Sequence, residues 1–344
     1  SSWRNVVDCI LQLQKIGLIP SRILNDNADD VEMSSEILGR TVIGNTLSTQ
    51  NRKRPSGLMG RFSQLLYLEP DEPKTQPSEE QLAAHQEALK VIEACHIDTI
   101  ISESKFLQTE SLLQLAKALI RVSGRPQKAG GSFEDEDTSV FCLDLLIAVV
   151  LQNRDRILLL WHGVHEHISN IVQKASVPSP LVEKAVFGLL RICQRLLPYK
   201  EELAEELLRS LQVILKLDAR VADGLCERIT HEVMQLVKAN ARHIKSPSGW
   251  KTVASLLSIT ARHLEASEPG YETLCFVMLE GAHLTEANYL LFIEAARAFA
   301  EASTGGLERS IRSLDLMSES VKSLAKWSNI SRNNETSNEN QEIG

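Results

Sequence analysis

Residues 199–217 read YKEELAEELLRSLQVILKL. Wound at about 3.6 residues per turn, Leu203, Leu207, Leu208, Leu211, Ile214, Leu215 and Leu217 cover more than half the circumference, wider than the stripe of a surface helix in a small bundle. Two apolar flanks need two neighbours, which is what a helix inside a stack of helix pairs has. Working outward, Asp218 caps a long helix to Asn240, and Pro178 and Pro180 open a helix that closes at Leu197-Pro198. Further helices read as Pro247 to Leu264, Pro269 to Gly281, Leu284 to Glu301 and Leu307 to Trp327. Antiparallel helices joined by short turns, in pairs recurring about every 40 residues, predict an all-α fold of the HEAT/armadillo-like α-solenoid kind. Two separate helical bundles split at Gly124 are the alternative.

Toward the N-terminus the pattern loosens. Ser132 with Asp135 is a capping arrangement, and residues 134–137 (EDED) set negative charge on the positive end of the helix carrying Val140 to Leu151. Upstream lies a breaker, residues 124–132, then helical patterns at Phe106 to Val122 and Glu79 to Cys95. Residues 25–78 accumulate Asn, Asp, Ser, Thr, Gly and Pro and predict a long irregular, mobile loop near the N-terminus. The expected organisation is an N-terminal helical region over 1–123, a linker over 124–132, a solenoid over 133–327 and a disordered tail over 328–344.

Ser1-Ser2-Trp3 leads straight into an amphipathic helix, with no initiator Met and no folded unit ahead, so a piece of a longer protein is expected. Trp3, Val6, Val7, Ile10, Leu11, Leu13 and Leu18 fall within an arc of about 160°, with Arg4, Asp8, Gln12 and Lys15 opposite. The ordinary partner for that stripe is a neighbouring helix. A membrane surface is the functional alternative, which makes Trp3, Val7 and Ile10 candidate membrane or partner contacts.

With 43% hydrophobic and 24% charged residues over 344 positions, the chain has material for a large core, and only 5% aromatics, in keeping with helix rather than strand. A net charge of −8 argues against a nucleic-acid partner, which needs a basic face. The longest apolar stretch, Val140 to Val150, contains Asp144 and falls short of the roughly 20 residues of a membrane span. The six cysteines stand singly, without the paired spacing of a zinc or redox site, and suit a reducing compartment.

The run Trp161-His162-Gly163-Val164-His165-Glu166-His167 invites a metal reading and fails its tests. After His165-Glu166, a zincin needs His where Ser169 stands; the inverted motif needs His where Gly163 stands. His231-Glu232 likewise has Gln235 in place of its second His. There is no Gly-rich phosphate loop and no Gly-x-Ser-x-Gly elbow, so no metal, cofactor or catalytic residue is expected. Two elements inside the loop are candidate contacts: the basic run Arg52-Lys53-Arg54, suited to anionic lipid, and the apolar segment with Leu58, Met59 and Phe62, suited to a groove.

Long runs of this sequence resemble the large Golgi-type ARF guanine-nucleotide exchange factors, and within them the plant GNOM-like family. The runs are WRNVVDCILQLQKIGLIPSR (3–22), SGLMGRFSQLL (56–66), CHIDTIISESKFLQTESLLQLAKALI (95–120) and EDEDTSVFCLDLLIAVVLQNRDRILLLW (134–161). They continue with EKAVFGLLRICQRLLPYKEELAEELLRSLQVILKLDARVAD (183–223), GWKTVASLLSITARH (249–263) and ERSIRSLDLMSESVKSLAKW (308–327). The resemblance implies the helical homology regions that follow the catalytic domain. The family's glutamate finger, in a Phe-Arg-Leu-Pro-Gly-Glu context, is not in these residues, so no catalytic role carries over and the chain alone is not expected to exchange nucleotide. By the same resemblance, it belongs to a cytosolic exchange factor peripherally associated with Golgi or endosomal membranes in vesicle traffic. Its implied partners are the parent's own catalytic domain, ARF GTPases through the parent, the membrane, and a second parent molecule through homo-oligomerisation attributed to a segment upstream of the catalytic domain. The competing expectation is a free-standing cytosolic helical-repeat adaptor that binds other proteins.

Overall fold

A computed structural model describes residues 2–19, 23, 78–97, 99–124, 133–280 and 283–339. Residues 25–77 of the expected loop and 125–132 of the expected linker lie outside the described residues. Among the described residues the regular elements are all helical, and none is long and apolar enough to cross a membrane. The fold is all-α. The chain divides into two compact units, Ser1–Trp161 and His162–Gly344, with the division falling inside one helix.

The first unit contains α1 (Ser2–Lys15), α2 (Glu79–Ala94), α3 (Thr99–Ser102), a 3-10 turn (Glu103–Phe106), α4 (Thr109–Ser123) and α5 (Phe133–Gln152). A second 3-10 turn (Arg154–Arg156) leads into α6 (Ile157–Lys174). In α4, Leu112, Leu115, Ala116, Leu119 and Val122 are buried, a helical repeat of three and four that lays one stripe on α5. In α5, Cys142, Leu143, Leu145, Leu146, Val149 and Val150 are all fully buried, while Val140, Asp144 and Ala148 on the opposite side are half-buried, so this helix is enclosed over most of its circumference. Each such side chain stabilises the fold by about 1.5–3 kcal/mol, before the entropy of ordering it.

The second unit continues with α7 (Pro180–Leu196), α8 (Glu201–Ser210), a 3-10 stretch (Leu211–Lys216), α9 (Ala219–Asn240), α10 (Pro247–Thr260) and α11 (Leu264–Cys275). A π-turn (Phe276–Glu280) precedes α12 (Tyr289–Glu301) and α13 (Gly306–Glu339). Local chemistry starts these helices. Ser179 accepts from the backbone N–H of Val182 ahead of Pro180 at the first turn; Asp218 accepts from Arg220; Ser246 accepts from Gly249 ahead of Pro247. Between α7 and α12 the helices pack on the next but one, α7 on α9 on α11 and α8 on α10 on α12, which makes two rows, and the rows touch where α7 meets α8, α9 meets α10, α10 meets α11 and α11 meets α12. That alternation is what a stack of helix pairs requires. Edge-to-face rings tie α12 to both rows: Trp250 on Phe292 at 5.5 Å and Tyr271 on Phe299 at 5.7 Å.

Three departures from the sequence reading have physical causes or local detail. Residues 199–217 are not one α-helix: α8 tightens into 3-10 geometry after Ser210, which buries Leu211, Val213 and Ile214 and leaves Leu215 and Leu217 half-buried. Helix α11 begins at Leu264 instead of at Pro269, and Pro269 sits inside it. The missing N–H is tolerated in a helix whose Ala266, Ser267, Gly270 and Tyr271 are buried by neighbours. Finally, α13 runs on to Glu339, so residues 328–339 of the expected tail have helical backbone.

Candidate functional site

The sequence pattern starts a helix at Phe106, whereas α4 begins at Thr109 and Phe106 ends a separate 3-10 turn. Leu107, extended at φ −64° and ψ 145°, separates the two. The turn is fixed from a distant part of the chain. The guanidinium of Arg156 donates to the carbonyls of Leu107 at 2.6 Å, Lys105 at 2.9 Å and Ser104 at 3.0 Å, and to Asn153 Oδ1 at 2.7 Å. Asn153 in turn donates from Nδ2 to Ser104 Oγ and to Val149 O, both at 2.8 Å, and Ser104 and Asn153 are almost fully buried. One planar cation with several fixed donors thereby gathers three neighbouring carbonyls, of which that of Ser104 also accepts the backbone N–H of Leu107 at 3.1 Å.

The result is an aromatic ring on a rigid mount. Phe106 is 77% exposed, and Lys105 Nζ lies 5.2 Å from its ring centroid. Leu158 and Leu159, just beyond Arg156, are exposed as well. An apolar ring beside a cation fits a boundary between water and an apolar phase, and performs no bond-making chemistry. Sequence reasoning missed Phe106 because its signal, an Arg some 50 residues later bonded to backbone carbonyls, is not local.

Of the residues singled out from sequence, Trp3, Val7 and Ile10 fall in α1. Val7 and Ile10 are buried, and α1 packs on α4. Trp3 is partly buried and its Nε1 donates to Ser111 Oγ at 2.7 Å. Lipid contact through this face therefore requires α1 to leave α4. Leu58, Met59, Phe62, Arg52, Lys53 and Arg54 lie outside the described residues.

In the second unit, His165 lines a groove of about 460 Å³ with Glu202, Glu205, Glu206, Arg209 and Ser210. Burial lowers the His165 pKa; Glu206 opposes this and His162 adds to it. Burial lowers that of His167 too. Among the described residues no group of three or more His, Cys, Asp or Glu is placed to hold a metal ion.

The chain is 61% identical to the ARF guanine-nucleotide exchange factor GNOM of Arabidopsis thaliana over 340 residues, covering 97% of this chain and 23% of GNOM. It is 52% identical to the ARF guanine-nucleotide exchange factor GNL1 of the same plant, over 97% of this chain and 23% of that protein. The chain is a partial, GNOM-like region of the ARF guanine-nucleotide exchange factor family. A Golgi-specific brefeldin A-resistance guanine nucleotide exchange factor 1 homolog of Caenorhabditis elegans is 30% identical over 74% of this chain and 13% of its own length. This GNOM-like region thus spans about a quarter of the length of the curated plant relatives it matches. No protein-family model matches it, and neither does any solved structure. The runs that carried the resemblance form α1, α3 and α4, α5 with the start of α6, α7 to the start of α9, α10, and α13, while 56–66 lies outside the described residues.

Proposed function

We propose that this chain is the non-catalytic regulatory and membrane-targeting helical region of an ARF guanine-nucleotide exchange factor acting in vesicle-mediated transport at Golgi and endosomal membranes. The observation that carries the reading is the 61% identity to GNOM over 97% of the chain. In this reading the parent is cytosolic and peripherally bound, ARF GTPases meet it through its catalytic domain, and that domain is the regulated partner of the helical region. The helices of the two units serve as surfaces.

The Phe106 tip supplies the membrane contact by inserting an aromatic ring while Lys105 stays at the headgroup level. Helix α1 supplies control: its apolar face, docked on α4 in the resting state, trades that helix for the bilayer. A free-standing adaptor that binds other proteins is the second reading, favoured by the exposed apolar side of α13.

Release of a fluorescent guanine nucleotide from an ARF GTPase separates regulator from catalyst. The 344-residue chain is expected to leave the release rate at its spontaneous value. Acceleration that scales with chain concentration overturns the non-catalytic assignment.

A further inference from the structure

The sequence holds two Ser-Pro dipeptides, Ser179-Pro180 and Ser246-Pro247, and no Thr-Pro. Each serine caps a helix of the second unit, and the folded surroundings set them apart. Ahead of Ser179, residues 175–178 join α6 to α7 without regular structure; Ser176, Val177, Pro178 and Pro180 are exposed, and the half-buried Ser179 is extended at φ −149° and ψ 156°. A kinase reads its substrate as an extended, solvent-facing chain, and a proline-directed one needs Pro directly after the serine. Ahead of Ser246 the backbone runs instead from a 3-10 turn (Ala241–His243) into the buried Ile244, and Gly249 and Trp250 are buried behind it. Its cap bond from Gly249 N is 3.1 Å, and Glu205 sits beside it, accepting from Ser248 Oγ at 3.0 Å.

We propose that Ser179 is a phosphorylation site for a proline-directed serine/threonine kinase, and that Arg228 of α9 binds the phosphate. Ser179 Oγ attacks the γ-phosphorus of Mg-ATP; the hydroxyl proton passes to a carboxylate base of the kinase, the bond to the bridging oxygen breaks, and ADP leaves. The product is held better than the hydroxyl it replaces. Ser179 Oγ accepts from Val182 N at 3.4 Å, the long end of a hydrogen bond. A phosphate brings about −1.5 to −2 charge at pH 7, and several strong acceptors, onto the positive end of α7. Helices α7 and α9 place a cation alongside. Pro178 lies against α9 at Gly224, where an added Cβ stands 3.8 Å from Pro178 Cγ; one turn on, Glu183 of α7 pairs with Arg228 of α9. The Arg228 side chain is 59% exposed and stacks on Phe187 at 4.3 Å, so its guanidinium can turn from Glu183 toward a phosphate one helical turn away. There it also offsets the repulsion between that phosphate and Glu183. Asp223, the carboxylate next to Gly224, faces His263 at 3.7 Å. Phosphorylation thereby ties the start of α7 to α9, independently of the exchange-factor reading.

The test is incubation of the intact 344-residue chain with Mg-ATP and, in turn, a purified cyclin-dependent and a purified mitogen-activated kinase, read by peptide mapping in a mass spectrometer. Phosphate is expected on Ser179 and not on Ser246, and Pro180→Ala is expected to remove it. Hydrogen exchange reads the consequence: amides of residues 181–184 are expected to slow about tenfold on phosphorylation. Arg228→Gln is expected to accept phosphate at the wild-type rate and to lose most of that slowing. A chain that neither kinase modifies at Ser179, or one modified equally at Ser246, overturns the site. Slowing that is absent from the wild-type chain, or that survives Arg228→Gln, overturns the phosphate-binding role of Arg228.

Discussion

The indole Nε1 of Trp3 donates to Ser111 Oγ at 2.7 Å, so the first turn of α1 is fastened to a helix 108 residues later. Below that bond Val7 and Ile10, at 1% and 3% exposure, complete a contact with α4 that is mainly apolar. Ser111→Ala leaves a partly buried indole N–H without its acceptor and is expected to cost about 1 kcal/mol. Ile10→Ala is expected to cost about 2–4 kcal/mol. Both changes should appear in urea unfolding, and in hydrogen exchange as faster exchange confined first to α1. Unchanged exchange in α1 contradicts the docking.

The tip at Phe106 separates mount from ring. Arg156→Ala strips the carbonyls of Ser104, Lys105 and Leu107 of their shared donor and is expected to lower stability by about 2 kcal/mol. Phe106→Ala, at a largely exposed position, is expected to change stability by less than about 0.5 kcal/mol. Thermal unfolding of the two variants distinguishes these outcomes, and an equal loss from both contradicts the assignment.

Acid is expected to loosen the second unit. Burial lowers the pKa values of His165 and His167 below their ordinary 6.5, so the native state favours their neutral forms. Their contribution is complete above pH 6.5 and is lost as pH falls through the lowered native values, because the unfolded chain takes up protons first. Melting temperature measured from pH 7.5 down to about pH 5 should fall, and His167→Gln should flatten the slope. A profile independent of pH contradicts this.

Gly270 is a close approach between helices. A Cβ there meets Thr260 Oγ1 inside contact distance and stands 3.2 Å from Phe299 Cζ. Gly270→Ala is expected to destabilise by about 1–3 kcal/mol despite the better helix propensity of Ala, as read by denaturant midpoint. A stabilised variant contradicts the packing described for α10, α11 and α12.

Several parts of this fold were legible because their causes are local. The opening of α7 at Pro180 and the cap at Asp218 are set by their immediate neighbours, and the apolar width of 199–217 is written in its own spacing. The start of α11 was not legible, since Pro269 reads as a helix opener and its neighbours, which make an interior Pro tolerable, come from other helices. The Phe106 tip was missed for the related reason that Arg156 and Asn153 reach its turn across 49 or more residues of sequence. For α1, the stripe was legible from sequence, but α4 as its partner emerged only when Ser111 was seen beneath Trp3.

The most direct test of membrane targeting is flotation of the purified chain with liposomes containing phosphatidylserine, comparing wild type with Phe106→Ala. The account predicts that the wild-type chain rises with the vesicles and that the variant's floated fraction falls about fivefold or more while its melting is unchanged. A wild-type chain that stays at the bottom of the gradient contradicts membrane targeting by this region.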